Sequence, residues 1–192
     1  LWEGDGLVGG EVYSTGDVGV LNNVLSGLVI SQVESTAISL FVSMLVLVLL
    51  TRRLGQSLVV ILPVGLAGAW VVGAMAMLGI NWNVLTIMIT ALTIGLGIDY
   101  SIHVWRRIEA NRGSGMGTWE AMRDMYSTTG AALLLSSGTT ICGFMVLLLS
   151  PIPVIQDFGI VSSISVLFSL VMALLVLPGL LAAEFRPSSD YA

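Results

Sequence analysis

Asp99 is the residue whose chemistry most needs explaining. It sits in the apolar run Val84–Trp105, with Tyr100 beside it and His103 four positions on. An ionised Asp at the centre of a membrane helix costs on the order of 2.5–3.5 kcal/mol, and such groups usually face a protein interior or a water-filled cavity. Protonation removes the charge. A carboxyl that alternates between protonated and ionised forms is what an ion-coupled carrier requires. On a helix the spacing of four places His103 on the Asp99 face, while Tyr100 lies about 100° around. The three together could pass a proton. Plainer readings stand beside this one. Asp99 could make a structural helix-to-helix hydrogen bond, Tyr100 could be a packing residue, and His103 could be an interfacial imidazole just before Trp105, Arg106 and Arg107.

Other polar groups within apolar runs are hydroxyls: Thr86, Thr90 and Thr93 in the run that holds Asp99, and Ser136, Ser137, Thr139 and Thr140 in the next. Most can bond their own helix backbone. If Asp99 points at the fourth apolar segment, Thr139 or Thr140 is its nearest hydroxyl partner and supports the relay. All seven basic residues are Arg, so no Walker A lysine and no Schiff-base lysine exists in the sequence. One His and one Cys exclude HExxH, CxxC and an internal disulfide. No cofactor or metal is expected, and no enzymatic activity. Sparse Arg residues flanking apolar runs make nucleic acid an unsuitable partner.

The elements that must position Asp99 follow from composition. Of 192 residues, 56% are hydrophobic and 10% charged, which describes an integral membrane protein, an all-α polytopic helix bundle. A bilayer core needs roughly 20 apolar residues per helix. Five segments qualify, at about 35–50, 58–78, 84–105, 128–149 and 159–181. If the five alternate in direction, all seven Arg fall on one side, and the opposite side holds Glu3, Asp5, Glu11, Asp17, Glu34 and Asp157. The positive-inside rule makes the arginine side cytoplasmic, with the N-terminal segment outside and the C-terminus inside. Residues 1–17 then read as the end of an external domain, 18–33 as a connector helix or the outer end of a long first span, 34–183 as the bundle and 184–192 as a cytoplasmic tail. Thr118 can cap a short interfacial helix over about 118–126, with Trp119, Met122 and Tyr126 on one face. Glycines within the spans, among them Gly95, Gly97 and Gly143, let helices approach closely in lipid. The chain opens on Leu1 with an acidic, glycine-rich stretch and no visible signal peptide, so a fragment or processed product is expected.

The run LTIGLGIDYSIHVWRRIE, 92–109, resembles the fourth or tenth helix of the resistance-nodulation-division (RND) superfamily, particularly MmpL-type lipid exporters and the sterol-sensing-domain proteins. WEAM at 119–122, TTGAALLLSSGTTICGF at 128–144, the Phe158–Gly159 pair and LPGLL at 177–181 resemble the next two helices in order and spacing. YSTG at 13–16 and the segment 32–50 resemble the end of the external porter domain entering its helix. The resemblance implies that Asp99 is the proton-relay aspartate and Tyr100 its neighbouring tyrosine. It also implies helices two to six of one six-helix half, in the plasma or inner membrane. A second half, from the same polypeptide or a second copy, would then complete the relay. Function follows as an expectation: export of hydrophobic or amphiphilic, lipid-like cargo driven by protons, or by sodium, since one carboxylate with nearby hydroxyls suits either. The alternative is a non-transporting, sterol-sensing type of module that binds membrane lipid and regulates a partner.

Overall fold

The computed structural model describes residues 17–80 and 83–184, so residues 1–16 of the expected external segment and the tail beyond Glu184 lie outside the described residues. The described chain is helical almost throughout. Helix α1 spans Asp17–Thr51, α2 Leu54–Leu78, α3 Val84–Gly113, α4 Thr118–Met125, α5 Ala131–Met145, α6 Pro153–Val171 and α7 Leu177–Glu184. A π-helical turn, Tyr126–Gly130, joins α4 to α5, and a second, Met172–Val176, joins α6 to α7. Five continuous rods result, each long and apolar enough to cross a membrane: Val33–Thr51 of α1, α2, Met88–Gly113 of α3, Thr118–Leu149 and Pro153–Ala183.

Local sequence explains where the rods end. Gly79 stops α2 with φ 67, a left-handed conformation that glycine adopts without penalty, and the following Ile80 N–H bonds back to the Met75 carbonyl. Asn83 then starts α3 through a capping box. Its Oδ1 accepts from the N–H groups of Leu85 and Thr86 at 2.9 Å each, while the Thr86 hydroxyl accepts the Asn83 N–H at 2.8 Å. Pro153 opens α6 at its first turn, where the missing N–H costs nothing.

At three places the helices run on beyond the apolar segments. The segments 18–33 and 35–50 form one unbroken helix of 35 residues, about 52 Å long at 1.5 Å per residue. That exceeds a bilayer core, so α1 reaches well beyond the apolar layer. Helix α3 continues past Trp105 to Gly113, because polar residues leaving the hydrocarbon keep their backbone hydrogen bonds. The segment expected as a separate interfacial helix over about 118–126 is continuous with the span after it. Tyr126 and Gly130 both keep right-handed helical angles.

Helix α3 is the central rod, packed against α2 and α6, with α1 and α4 flanking it. The main core cluster joins Leu47 and Val60 to Tyr100, Val104 and Ile108 of α3, then to Met125, Leu133, Leu170 and Leu177. A smaller cluster of Val71, Met75, Ile89 and Val161 closes the opposite end.

Candidate functional site

The two faces of α3 are unlike. The closed face meets α2 and α6 through a seam of small and hydroxylated residues. Thr93 and Ser165 share a 2.5 Å hydroxyl hydrogen bond, Thr93 also donates to the Ile89 carbonyl at 2.7 Å, and Ser169 donates to the Thr93 carbonyl at 3.4 Å. At Gly97 an added Cβ would stand 3.2 Å from Val64 Cγ1 and 3.5 Å from Ser169 Oγ, so the three helices meet where no side chain intervenes. Small residues substitute for a hydrophobic driving force between helices, which is weak in lipid.

The other face is open. Met88, Ala91, Gly95, Asp99, His103 and Arg106 recur at helical spacing, and all are exposed. No hydrogen bond or ion pair reaches the Asp99 carboxylate among the described residues. His103 lies one turn nearer the arginine end on the same face, roughly 6 Å along the axis. Tyr100 is not on that face. It is 6% exposed and packs in the main core cluster. The structure therefore brings Asp99 and His103 onto one stripe and turns Tyr100 into the bundle.

The remaining expected residues are placed as follows. Thr139 and Thr140 both donate to the Ser136 carbonyl of their own helix, at 2.8 and 3.0 Å, so neither hydroxyl serves Asp99. Of the three glycines expected to bring helices together, only Gly97 does so here. Gly95 and Gly143 face open space. Gly159 makes a tighter contact that the sequence did not single out: a Cβ there would lie 2.8 Å from the Phe144 carbonyl oxygen, locking α6 to α5. Residue order shows its place after Phe158, but a close approach between segments is a tertiary property.

Two hollows flank the open face. One, about 310 Å³, lies between α1 and α3, lined by Ser39, Ser43, Ala91 and Gly95, a single turn from Asp99. A larger one, about 490 Å³ and mostly apolar, lies between α1, α2 and α3, lined among others by Val33, Leu40, Gly65, Gly68 and Thr90.

At the arginine end, Asp124 of α4 anchors that helix to the extension of α3. Its Oδ2 accepts from Asn111 Nδ2 at 2.7 Å and from Arg107, at 3.0 Å from Nε and 2.8 Å from Nη2. Asn111 also donates to the Ala121 carbonyl at 3.2 Å. Neither Asn111 nor this clamp was anticipated, because their partners are 10 to 17 residues apart across a turn.

Comparison with known proteins agrees with this architecture. A membrane protein of Methanocaldococcus jannaschii is 35% identical over 156 residues, covering 81% of this chain and 40% of that protein. Patched homolog 1 of Danio rerio is 28% identical over 136 residues, 66% of this chain and 11% of that protein. A Mycobacterium leprae protein named "Probable transport protein MmpL4" is 28% identical over 162 residues, 81% of this chain and 17% of that protein. The chain thus spans well under half the length of these relatives. The MMPL family model matches residues 7–186, nearly the whole sequence, and the chain belongs to the MMPL family.

Proposed function

We propose that this bundle is helices two to six of one half of an RND-type secondary transporter, in which Asp99 binds and releases a proton, or coordinates sodium, as cargo moves. The observation that carries the reading is the Asp99 carboxylate: it lies midway along a membrane-spanning helix, on an exposed face, with no partner among the described residues. Such a group is too costly to keep unless something outside these residues faces it. That something is the other half of the transporter, from the same polypeptide or a second copy. Tyr100 acts from behind, holding α3 in the core next to Asp99, and His103 stands on the ion's path to the arginine side.

Each charge moved through the membrane potential supplies about 2.3 kcal/mol per 100 mV. Helix α1 is suited to pass the resulting motion outward, since one rigid rod runs from the bundle to beyond the apolar layer. Cargo is hydrophobic or amphiphilic and lipid-like, the protein sits in the plasma or inner membrane, and its arginine side is cytoplasmic. The relative from Mycobacterium leprae carries transport in its name, which supports the reading.

One observation favours the sterol-sensing alternative: the apolar hollow of about 490 Å³ between α1, α2 and α3 could hold a lipid and regulate a partner. Gradient-driven cargo transport by the full-length protein in vesicles, wild type against Asp99→Asn, separates the two. Transport lost with folding retained supports the carrier. Undiminished transport removes Asp99 from coupling. Absence of transport in the wild type, with lipid-dependent partner binding that survives Asp99→Asn, favours the regulatory module.

A further inference from the structure

We propose that the groove between α4 and α7 is a binding site for an anionic phospholipid of the arginine-side leaflet, its acyl chain lying between Met122 and Leu175 and its phosphate at Arg123. The groove encloses about 520 Å³, with Trp119, Met122, Arg123 and Tyr126 on one wall and Leu175 and Pro178 on the other. None of its lining residues belongs to α3, and nothing in the transport reading uses it.

Three features point to this occupant. The first is hydrogen bonding. Pro178 has no N–H to return to the carbonyl of Leu174, four residues before it, and an unmatched carbonyl is not tolerated against hydrocarbon. Tyr126 donates its hydroxyl to that carbonyl at 2.7 Å. The two π-helical turns, a local geometry common at functional sites, are thereby tied together across the groove, and its wall is made fit for an acyl chain rather than water.

The second is charge. Arg123 is exposed at the mouth, and its side chain makes no ion pair or hydrogen bond among the described residues. Asp124 is engaged by Arg107 and Asn111, and Glu120, one turn before Arg123 on the same helix, makes no ion pair with it. The site is therefore a cation beside an apolar slot, complementary to a phosphate attached to an acyl chain. The third is depth. Trp119, 83% exposed, stands at the rim, in the place where an indole favours the boundary between headgroups and hydrocarbon.

Native mass spectrometry of the purified full-length protein, incubated with phosphatidylglycerol or phosphatidylcholine, tests the site. The wild type is expected to retain phosphatidylglycerol in preference to phosphatidylcholine. Arg123→Gln reduces phosphatidylglycerol retention about fivefold, the factor associated with one basic residue beside an anionic leaflet. Gly179→Leu blocks the slot and reduces retention of both lipids. A Cβ added at Gly179 meets no atom within 4 Å, so the substitution starts from open space and extends into the slot. Arg106→Gln, on the open α3 face, leaves retention unchanged. Retention unaltered by Arg123→Gln, or by Gly179→Leu, overturns the proposal. Neither readout depends on transport, so failure here leaves the coupling role of Asp99 standing, and the converse also holds.

Discussion

The closed and open faces of α3 solve the problem of polar groups in a membrane in opposite ways. On the closed face the polar atoms are hydroxyls: those of Thr93, Ser165 and Ser169 are paired with one another or with a backbone carbonyl, those of Ser101 and Ser162 are buried without a partner among the described residues, and Gly97 lets the helices come close. On the open face the polar groups are ionisable ones, Asp99, His103 and Arg106, and no hydrogen bond or ion pair reaches the Asp99 carboxylate among the described residues. Cheap, neutral groups are used to build the bundle. The expensive one is directed to where the bundle ends. A carboxylate whose purpose was only to hold these helices together would be expected in the seam.

That contrast can be broken or sharpened by substitution. Gly97→Leu should cost the most, about 1–3 kcal/mol of bundle stability, because overpacking would push Val64 and Ser169 apart. Thermal unfolding in lipid or detergent reads it. Thr93→Val should cost about 0.6 kcal/mol, the average for an interhelical hydrogen bond in a membrane. A double-mutant cycle with Ser165→Ala should find most of that in the pair. Gly95→Leu should change stability of the isolated bundle by no more than about 0.5 kcal/mol, since the site is open. In the full-length protein the same substitution should impair transport, because the covering half would meet the new side chain. Gly95→Leu behaving like Gly97→Leu in the isolated bundle would mean that the faces are not different. The smallest effect concerns the Asp124 clamp. Asp124→Asn should lower stability slightly, because it removes the charge that holds Arg107 in a partly exposed pair, as measured by thermal denaturation in detergent.

Much of this was readable from residue order. Asp99 stands out as a lone acid in an apolar run, and apolar runs mark all five spans. The rods are longer than those runs because backbone hydrogen bonding continues after hydropathy falls, as in Arg106–Gly113 of α3. Which glycines touch something was not readable. Gly97 and Gly95 lie two residues apart in one motif, yet only the first meets another helix. The π-helical turn near Pro178 was equally hidden, since its stabilising partner, Tyr126, comes from a helix 48 residues earlier. The position of Tyr100 around the helix follows from helical geometry, but its burial depends on how the other helices pack around α3.

The central claim is that Asp99 carries an exchangeable charge on a face completed by another bundle. Infrared difference spectroscopy of the full-length protein in lipid, stepped in pH, observes that carboxyl directly. The account predicts a protonated-carboxyl band that changes with pH in the wild type and is missing in Asp99→Asn. Identical difference spectra from the two proteins would contradict it.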